Sequence, residues 1–360
     1  MVRIVKRTGL TRKQTIIYRT IAVLAALVAS GVFIRILGHN PVAVYASMVE
    51  GAFGTLYRFK ETIIKTIPLV ITSLGIGIAF KMKFWNIGAE GQIFMGAFAA
   101  AYFALNYPGL PKPLMLLLMA VAGFVAGGAW ALIPAFFKAQ FGTNETLFTL
   151  MMNYIALKWV TYLQYGPWKD PKVKGFPLIA KFSENGIMPK LLGIHAGWLI
   201  MLVLVVVIHI YMKHTKSGYE VAVVGESENT ARYAGMNIKK IIIMSILLGG
   251  GLCGLAGMIQ ASGVNQTLGI EITSGIGYTA IITTWLGQLS APVILMVCFL
   301  FSVLLQGGSY IQTAFQIPAA VAQLIQGLIL FFVLGTEFFI QYRLAFKAVK
   351  PAAVNGKGAV

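Results

Sequence analysis

The sequence predicts an all-α protein, a polytopic bundle of about ten transmembrane helices. The chain of 360 residues is 58% hydrophobic and only 11% charged, whereas a soluble domain has roughly 25% charged residues. Apolar runs long enough to cross a bilayer recur along its whole length. A separate soluble domain of ordinary size does not fit between these runs.

Ten spans are predicted from runs of about 20 mostly apolar residues, with shorter runs allowed where a helix breaks inside protein. They are 16–37, 61–80, 84–107, 113–137, 145–165, 196–213, 239–262, 274–289, 290–309 and 320–342. The eighth and ninth are the weakest, because only Gly287 to Pro292 separates them. The stretch 41–56 is too polar for a span and is interpreted as an interfacial helix. A transmembrane domain at 16–342 is therefore expected between tails at 1–15 and 343–360.

The basic residues predict the orientation of the chain. Lysine and arginine outnumber the acids by 29 to 11, and cytoplasmic loops of membrane proteins collect such residues. Ten spans place 17 of the 29 on the side of the N-terminus, so both termini are predicted to be cytoplasmic. The loop 166–195 opposes this assignment with five lysines on the outer side. Nucleic acid is not expected as a partner, because a basic helix or finger motif that reads DNA is missing.

Catalytic and metal sites are not predicted. The chain has no GxxxxGK[ST] phosphate loop, and its four histidines lack the spacing of metal ligands. Asp170 is the only aspartate, so paired carboxylates for acid–base chemistry are scarce. Cys253 and Cys298 lie in apolar runs and indicate neither a disulfide framework nor a metal site. We therefore expect no catalytic residue, no metal and no cofactor.

Three polar segments stand out from the apolar background. Residues 84–92 place an amide pair and Glu90 among glycines at the mouth of an apolar run, and an ionisable residue so close to the bilayer core marks a functional site. Residues 142–145 open the run that contains Asn153, and Asn144 either caps that helix or lines a pathway. Residues 214–238 are predicted to form a short amphipathic helix docked on a partner rather than a solvated turn.

Small residues predict close packing of helices. Glycines recur four residues apart at Gly123 and Gly127, and again at Gly250 and Gly254, with Gly257 following. In lipid such residues let helix backbones approach each other. This pattern indicates a bundle and does not indicate a substrate.

Together the three polar segments resemble the permease subunit of ABC importers, in the branch that moves nucleosides and simple sugars and is related to ribose and branched-chain amino-acid permeases. Residues 84–92 resemble the nucleoside-type signature FNIGAEGQ, with Trp85 inserted after Phe84. Further matches are 143–145, 152–156, 217–221, 224–236 and 277–281. The resemblance covers roughly residues 60–340.

The resemblance implies an ABC importer permease fold in a prokaryotic cell membrane, with membrane lipid around it. ATP-binding cassette ATPase subunits would hold the coupling segment 217–236 in the cytoplasm, a second permease (identical or homologous) would complete the pathway, and an extracytoplasmic solute-binding protein would deliver solute. ATP hydrolysis is then expected in a separate partner chain, and this chain is not expected to be an enzyme.

The resemblance also implies two sets of site residues. Those expected along the substrate pathway are Trp85, Asn86, Glu90, Gln92, Asn144, Glu145 and Asn153. Those expected in the coupling segment are Gly218, Tyr219, Glu220, Gly225, Glu226, Arg232, Tyr233 and Gly235. For Glu90, contact with solute and pinning of helices both remain open.

The expected solute is a nucleoside, and a simple sugar such as ribose is the alternative. An ion-coupled secondary transporter is a weaker alternative. It would need a buried acid relay, but the acids expected at membrane depth are widely scattered: Glu90, Glu145, Glu271 and Glu337.

Overall fold

Helices dominate the structure. The computed structural model describes residues 2–6, 12–173 and 175–346. In chain order the α-helices of these ranges are α1 Arg12–Ile36, α2 Pro41–Phe53, α3 Leu56–Lys81, α4 Ala89–Asn106, α5 Lys112–Phe141, α6 Glu145–Tyr165, α7 Gly197–His214, α8 Lys216–Glu226, α9 Glu228–Tyr233, α10 Ile238–Ile259, α11 Ile276–Leu286, α12 Ala291–Ala314 and α13 Ala319–Gln341. A π-helical turn, Gln260–Asn265, continues α10.

Strands are few and short. In the described ranges, β1 (Val2–Lys6) pairs antiparallel with β4 (Tyr342–Phe346). Likewise β2 (Lys190–Leu191) pairs with β3 (Ile194–His195). The prediction of an all-α protein is therefore confirmed. Most of the tail predicted at 343–360 lies outside the described residues.

The predicted count of ten spans is not confirmed. Six helices of the described part of the chain are long and apolar enough to cross a membrane, namely α3, α5, α7, α10, α12 and α13. The pair α1 and α2, bent by 113° between Thr20–Ile36 and Pro41–Phe53, would make a seventh. Helices α4 and α6 carry buried polar groups such as Glu90 and Asn153, which lower their hydropathy although protein surrounds these side chains. The stretch 41–56, which is interpreted from its sequence as an interfacial helix, contains α2, and α2 ends at Phe53.

Most predicted spans differ by a few residues from the observed helices, and the third and the eighth differ in ways that matter for the site. The third begins at Ala89 rather than at residue 84, because the Asn86 side chain accepts a hydrogen bond from the Gly88 N–H at 3.0 Å. Such a local side-chain bond replaces helical backbone pairing. The eighth is only the 11 residues of α11, roughly 16 Å long. Non-helical chain at 266–275 precedes it, so α11 is a half-length helix.

The chain divides into two compact units, Met1–Ser47 with Ile311–Val360, and Met48–Tyr310. In the described part of the first unit, α1 packs on α13. In the second unit, α10 is central and packs against α3, α4 and α5. The site lies in this second unit.

Glycines allow α4, α5 and α10 to approach backbone to backbone. A Cβ added at Gly127 of α5 would lie 2.5 Å from the Gly254 Cα of α10. One added at Gly96 of α4 would lie 2.1 Å from the Gly254 carbonyl oxygen, and one at Gly257 would lie 2.1 Å from the Ile93 carbonyl oxygen. No real side chain fits at such distances, so the predicted close packing of glycine-bearing helices is confirmed.

The segments 166–195 and 214–238 lie at opposite ends of α5. Near the start of α5, the Asn185 amide donates to the Pro108 carbonyl at 3.2 Å. Near its end, Ala135 packs in an apolar cluster with Val221 and Val224 of α8. The predicted single short helix at 214–238 is two helices, α8 and α9. The Ser227 side chain accepts from the Thr230 N–H at 3.2 Å, so that α9 begins anew after α8 ends.

Candidate functional site

The side chains of Asn86 and Gln92 form a reciprocal amide pair. The Asn86 Nδ2 donates to the Gln92 Oε1 at 3.2 Å, and the Gln92 Nε2 donates to the Asn86 Oδ1 at 3.1 Å. Both residues are 1% exposed. Buried amides need such partners, because an unpaired polar group costs about 1–3 kcal/mol. The pair therefore fixes the non-helical turn onto the start of α4.

Helix α6 holds the same turn from the other side. The Thr149 hydroxyl accepts from the Ile87 N–H at 3.2 Å. The Asn153 side chain accepts from the Gly91 N–H at 2.8 Å and donates to the Ile87 carbonyl at 2.9 Å. Asn153 thus pairs with backbone groups on both sides of the turn. It was predicted from the sequence as a pathway residue, and here it is a clamp on residues 87–91.

Glu90 caps the half-length helix α11. Its Oε1 accepts from the Gly275 N–H at 3.1 Å, and its Oε2 accepts from the Gly277 N–H at 2.7 Å. These amides lie at the N-terminus of α11, where N–H groups lack helical partners and negative charge is favourable. The described residues give Glu90 no ion-pair partner, so the backbone amides stabilise a carboxylate that is only 6% exposed. The geometry shows that Glu90 pins the helix, and contact of Glu90 with solute stays a prediction.

The backbone turns sharply immediately before this cap. Ser274 has φ +45° and Gly275 has φ +79°, which are left-handed conformations that favour glycine. A non-glycine residue held there costs of order 1–3 kcal/mol and persists only where its surroundings fix it. The hydrogen bonds from Gly275 and Gly277 to Glu90 hold the backbone in this conformation.

A cavity of about 220 Å³ opens beside this cap. The carboxylate of Glu90 and the amide of Asn153 lie at its inner wall, and the Tyr154 and Tyr278 rings, 54% and 40% exposed, flank it. The non-helical segment before α11 also lines the cavity, and the side chain of Glu271 in this segment is exposed. Non-helical backbone at membrane depth is tolerated where it lines a cavity. The arrangement offers aromatic faces together with hydrogen-bond acceptors to a small polar molecule.

Trp85 lies in an aromatic cluster. Its ring centroid is 5.5 Å from those of Phe80 and Trp285. The Trp85 side chain is 45% exposed, so one indole surface remains available. Of the seven predicted pathway residues, the structure places Asn86, Glu90 and Gln92 on the turn at 86–92. Asn153 is bonded to the backbone of this turn, and Trp85 directly precedes it along the chain.

Asn144 and Glu145 lie elsewhere. The Asn144 side chain accepts from the Thr146 and Leu147 N–H groups at 3.0 and 3.2 Å and so caps α6. Glu145 pairs with Lys138 of α5 at 2.9 Å. Glu145 also lines a small cavity beside α8 and α9, of about 170 Å³. The structure therefore associates these two residues with helix ends near the coupling segment.

The coupling segment is docked by two glycines. A Cβ added at Gly225 would lie 2.0 Å from the Lys81 carbonyl oxygen at the end of α3, and one at Gly218 would lie 2.2 Å from the Tyr211 carbonyl oxygen of α7. The Lys83 ammonium also donates to the Glu226 carbonyl at 3.4 Å. Helix α8 therefore touches α3 and α7 through backbone, with no room for a side chain at either contact.

The remaining predicted residues of the segment face outward. Tyr219 and Tyr233 are 64% and 94% exposed. Glu226, Arg232 and Gly235 are also exposed, with Gly235 in a left-handed turn, and Glu220 pairs loosely with Lys216 at 3.8 Å. A segment with one packed apolar face and one exposed face of aromatic and charged residues is typical of a docking surface.

Sequence reasoning did not identify the groups that Glu90 binds. The match at 277–281 pointed to Gly277, but nothing in it associated that glycine with Glu90. Tyr154 and Tyr278 were quoted only as parts of motifs, and Lys138 was counted only as a topological charge. A useful signal would have been the pair of glycines, Gly275 and Gly277, directly before an apolar run that is too short to cross a membrane.

Comparison with known proteins identifies the family. A family model described as branched-chain amino acid transport system / permease component matches residues 58–334. The chain belongs to this family. As the resemblance implied, this integral membrane permease is a transport component of an ABC importer.

Three relatives match most of the permease. It is 34% identical to the glucose ABC transporter permease protein TsgB13 of Haloferax volcanii, over 90% of this chain and 88% of that one. It is 29% identical to the nucleoside ABC transporter permease protein NupB of Lactococcus lactis, over 96% and 98%. It is 28% identical to the guanosine ABC transporter permease protein NupP of Bacillus subtilis, over 87% and 91%.

Proposed function

We propose that this permease forms the path by which nucleosides enter a prokaryotic cell. The observation that carries the proposal is the cavity beside Glu90, where Tyr154 and Tyr278 present ring surfaces next to carboxylate and amide groups. Aromatic rings stack on bases, and amide and carboxylate groups hydrogen-bond to sugar hydroxyls and base edges. The names of NupB and NupP support the same solute class.

In this proposal the network around Glu90 shapes the path and the cavity receives the solute. Asn86 and Gln92 use their amides on each other, and Asn153 uses its amide on backbone groups and on the Tyr278 hydroxyl. They therefore act by holding the turn and the end of α11 in place. Solute contact is assigned to the exposed tyrosines and Trp85, and to the polar groups of Glu90, Glu271 and Asn153 that line the cavity.

The coupling segment 217–236 is proposed to receive an ATPase subunit in the cytoplasm. Its exposed face, with Tyr219, Arg232 and Tyr233, would contact that subunit, while Gly225 transmits movement to α3 through direct backbone contact. ATP binding would then bias a two-state equilibrium of the helix bundle. Substitution of Arg232 is expected to uncouple ATP hydrolysis from solute while leaving membrane insertion intact.

The orientation of the chain follows from that placement. If α8 and α9 are cytoplasmic, the loop 166–195 at the other end of α5 lies outside, and both termini, with tails at 1–15 and 343–360, lie inside around the permease domain 16–342. A second permease would complete the pathway, and an extracytoplasmic solute-binding protein would meet the outer loops. Hydrolysis of ATP is assigned to the separate cassette subunits.

A sugar is the second candidate solute. It is favoured by the 34% identity to a permease named for glucose. The two solutes make different demands on the site, because a sugar has no aromatic base for the exposed rings to stack on.

The test is uptake by vesicles that contain the permease, its ATPase, its second permease and its binding protein. We expect ATP-dependent uptake of radiolabelled adenosine that uridine inhibits and glucose does not. Tyr154→Leu is expected to raise the KM for adenosine, whereas Tyr162→Leu on the same helix, with the ring 60% exposed outside the cavity, is the matched control. Inhibition by glucose or ribose alone would replace the nucleoside assignment with the sugar, and uptake without ATP would overturn both.

A further inference from the structure

A second and larger cavity lies behind the coupling segment. It measures about 600 Å³ and is bounded by α5, the end of α7, α8 and the start of α10. This volume is in the range of small-molecule sites, roughly 300–1,000 Å³. It is separate from the cavity beside Glu90, with which it shares no lining residue.

One end of this cavity is polar and basic. Lys216 of α8 and Lys240 of α10 line it together with Ser217 and Asn237. Glu220 also lines it, but its carboxylate is 3.8 Å from the Lys216 ammonium, and the Lys216 side chain is 89% exposed. Within the described part of the chain, no salt bridge joins Lys240 to a carboxylate. Two ammonium groups against one carboxylate leave this end with net positive charge.

The other end of the cavity is apolar. Phe124 of α5 and Met244, Leu247 and Leu248 of α10 line it. Leu247 follows Lys240 by seven residues, which is about 10 Å of helix rise. Met244 is 54% exposed, so the apolar end opens to the outside of the bundle. The cavity therefore changes from basic to apolar along α10, in the direction that leads from the end of the bundle into the membrane.

We propose that this cavity binds one anionic phospholipid of the cytoplasmic leaflet. The lysines would hold the phosphate, Ser217 and Asn237 would hydrogen-bond to the headgroup, and an acyl chain would lie along Phe124 and Leu248 and leave past Met244. Basic pockets between transmembrane helices at the cytoplasmic side are suited to such headgroups. The inference rests on the proposed cytoplasmic position of the coupling segment. The bound lipid would contact α8 and α10 together and so hold the coupling segment in its docked position.

The experiment measures lipid binding to the purified, delipidated permease by native mass spectrometry, with phosphatidylglycerol, phosphatidylethanolamine and phosphatidylcholine as probes. Each surface lysine contributes about a fivefold factor to anionic lipid binding. The double variant Lys216→Gln/Lys240→Gln is thus expected to bind phosphatidylglycerol roughly 30-fold more weakly. The matched control is Lys213→Gln/Lys239→Gln, which removes two neighbouring lysines that do not line this cavity.

A variant at the apolar end tests the same site independently. Leu248→Trp is expected to exclude the acyl chain and to abolish retention of phosphatidylglycerol, while the lysines remain. In wild-type protein, phosphatidylglycerol should also slow amide exchange in 216–226, and phosphatidylcholine should not.

Three results would overturn the proposal: equal binding by the double variant and its control, equal binding of all three lipids, and displacement of phosphatidylglycerol by millimolar inorganic phosphate, which would assign the basic end to free phosphate. These assays need no transport. Failure of the lipid site is therefore distinguishable from failure of the proposed function, which would show as wild-type vesicles without ATP-dependent uptake.

Discussion

Replacing Glu90 by Gln should release the N-terminus of α11. In the wild type the carboxylate accepts hydrogen bonds from the N–H groups of Gly275 and Gly277. The glutamine amide keeps one acceptor oxygen, but it turns its NH₂ group toward the other N–H, which then loses its hydrogen bond. A hydrogen bond to a charged group contributes about 1.5–3 kcal/mol, and a negative charge at a helix N-terminus contributes typically 0.3–1 kcal/mol. The loss is therefore about 3 kcal/mol.

That energy corresponds to a local opening of α11 that is roughly 100-fold more frequent, because each 1.4 kcal/mol is a factor of ten. Hydrogen–deuterium exchange reports such openings directly. We expect the amides at 275–278 of the variant Glu90→Gln to exchange about 100-fold faster than in wild type, with the exchange of α10 unchanged. Solute uptake should fall more than tenfold while membrane insertion stays normal.

The control is Glu271→Gln. This change removes the same charge from the wall of the same cavity, yet the described residues show no hydrogen bond from a backbone amide to the Glu271 carboxylate. If both variants lose uptake equally and neither changes exchange at 275–278, Glu90 acts through its charge on the solute and the capping argument is wrong. If Glu90→Gln matches the wild type in both amide exchange and solute uptake, the cap contributes neither to the stability of α11 nor to transport.

Three further predictions concern other regions. Gly225→Ala places a Cβ 2.0 Å from the Lys81 carbonyl oxygen, so ATPase activity should no longer respond to the loaded binding protein. The control is Gly109→Ala, where a Cβ meets nothing within 4 Å. Normal coupling in the Gly225→Ala variant would contradict the docking contact. Trp85→Leu should raise the KM for nucleosides about 5- to 100-fold, since stacking contributes about 1–3 kcal/mol per base, with ribose uptake as the comparison; an equal effect on ribose would refute stacking. Burial lowers the pKa of His195 from 6.5 to about 4. Between pH 6.5 and pH 4 the unfolded state therefore binds more protons than the folded state, so the free energy of unfolding should fall by about 3 kcal/mol as the pH drops through this range. Thermal unfolding of His195→Phe in detergent should lose this slope, and an unchanged slope would assign it to another group.

The sequence predicted those features that depend on local composition. Glycines at four-residue spacing predicted close packing of the helices that carry them, because a missing side chain permits close approach regardless of the partner. The structure supplies the pairing of α5 with α10. The small and apolar residues of 214–238 predicted a packed segment. Val221 and Val224 are indeed buried, against helices of the same chain, and docking on a partner stays a prediction. The family followed from motifs whose residue order is specific.

Features that depend on distant partners were not predictable. The Glu90 carboxylate accepts from amides 185 and 187 residues away along the chain, and amide donors are common to all residues except proline. The count of ten spans stays unconfirmed for a related reason. Helices α4 and α6, which lie within two predicted spans, carry buried polar groups, so their composition alone does not identify them as spanning. The sequence leaves open whether Asn144 caps a helix or lines a path. The structure shows the cap, through two hydrogen bonds from α6, and the pathway role stays a prediction.

If an ATPase subunit holds the coupling segment as proposed, the glycine contacts of α10 determine how a movement of that segment spreads through the permease. Helix α10 starts beside the coupling segment, where Ile241 and Ile242 pack with Val221, and its later turns touch α4 at Ile93 through backbone alone. Side chains in a packed interface can change rotamers and so absorb a small displacement, but glycine contacts have no rotamers to change. A shift of the coupling segment along α10 is thus delivered to the helix that carries Glu90 with little attenuation. The N-terminus of the half-helix α11, which two hydrogen bonds to Glu90 tie to α4, would receive this shift next.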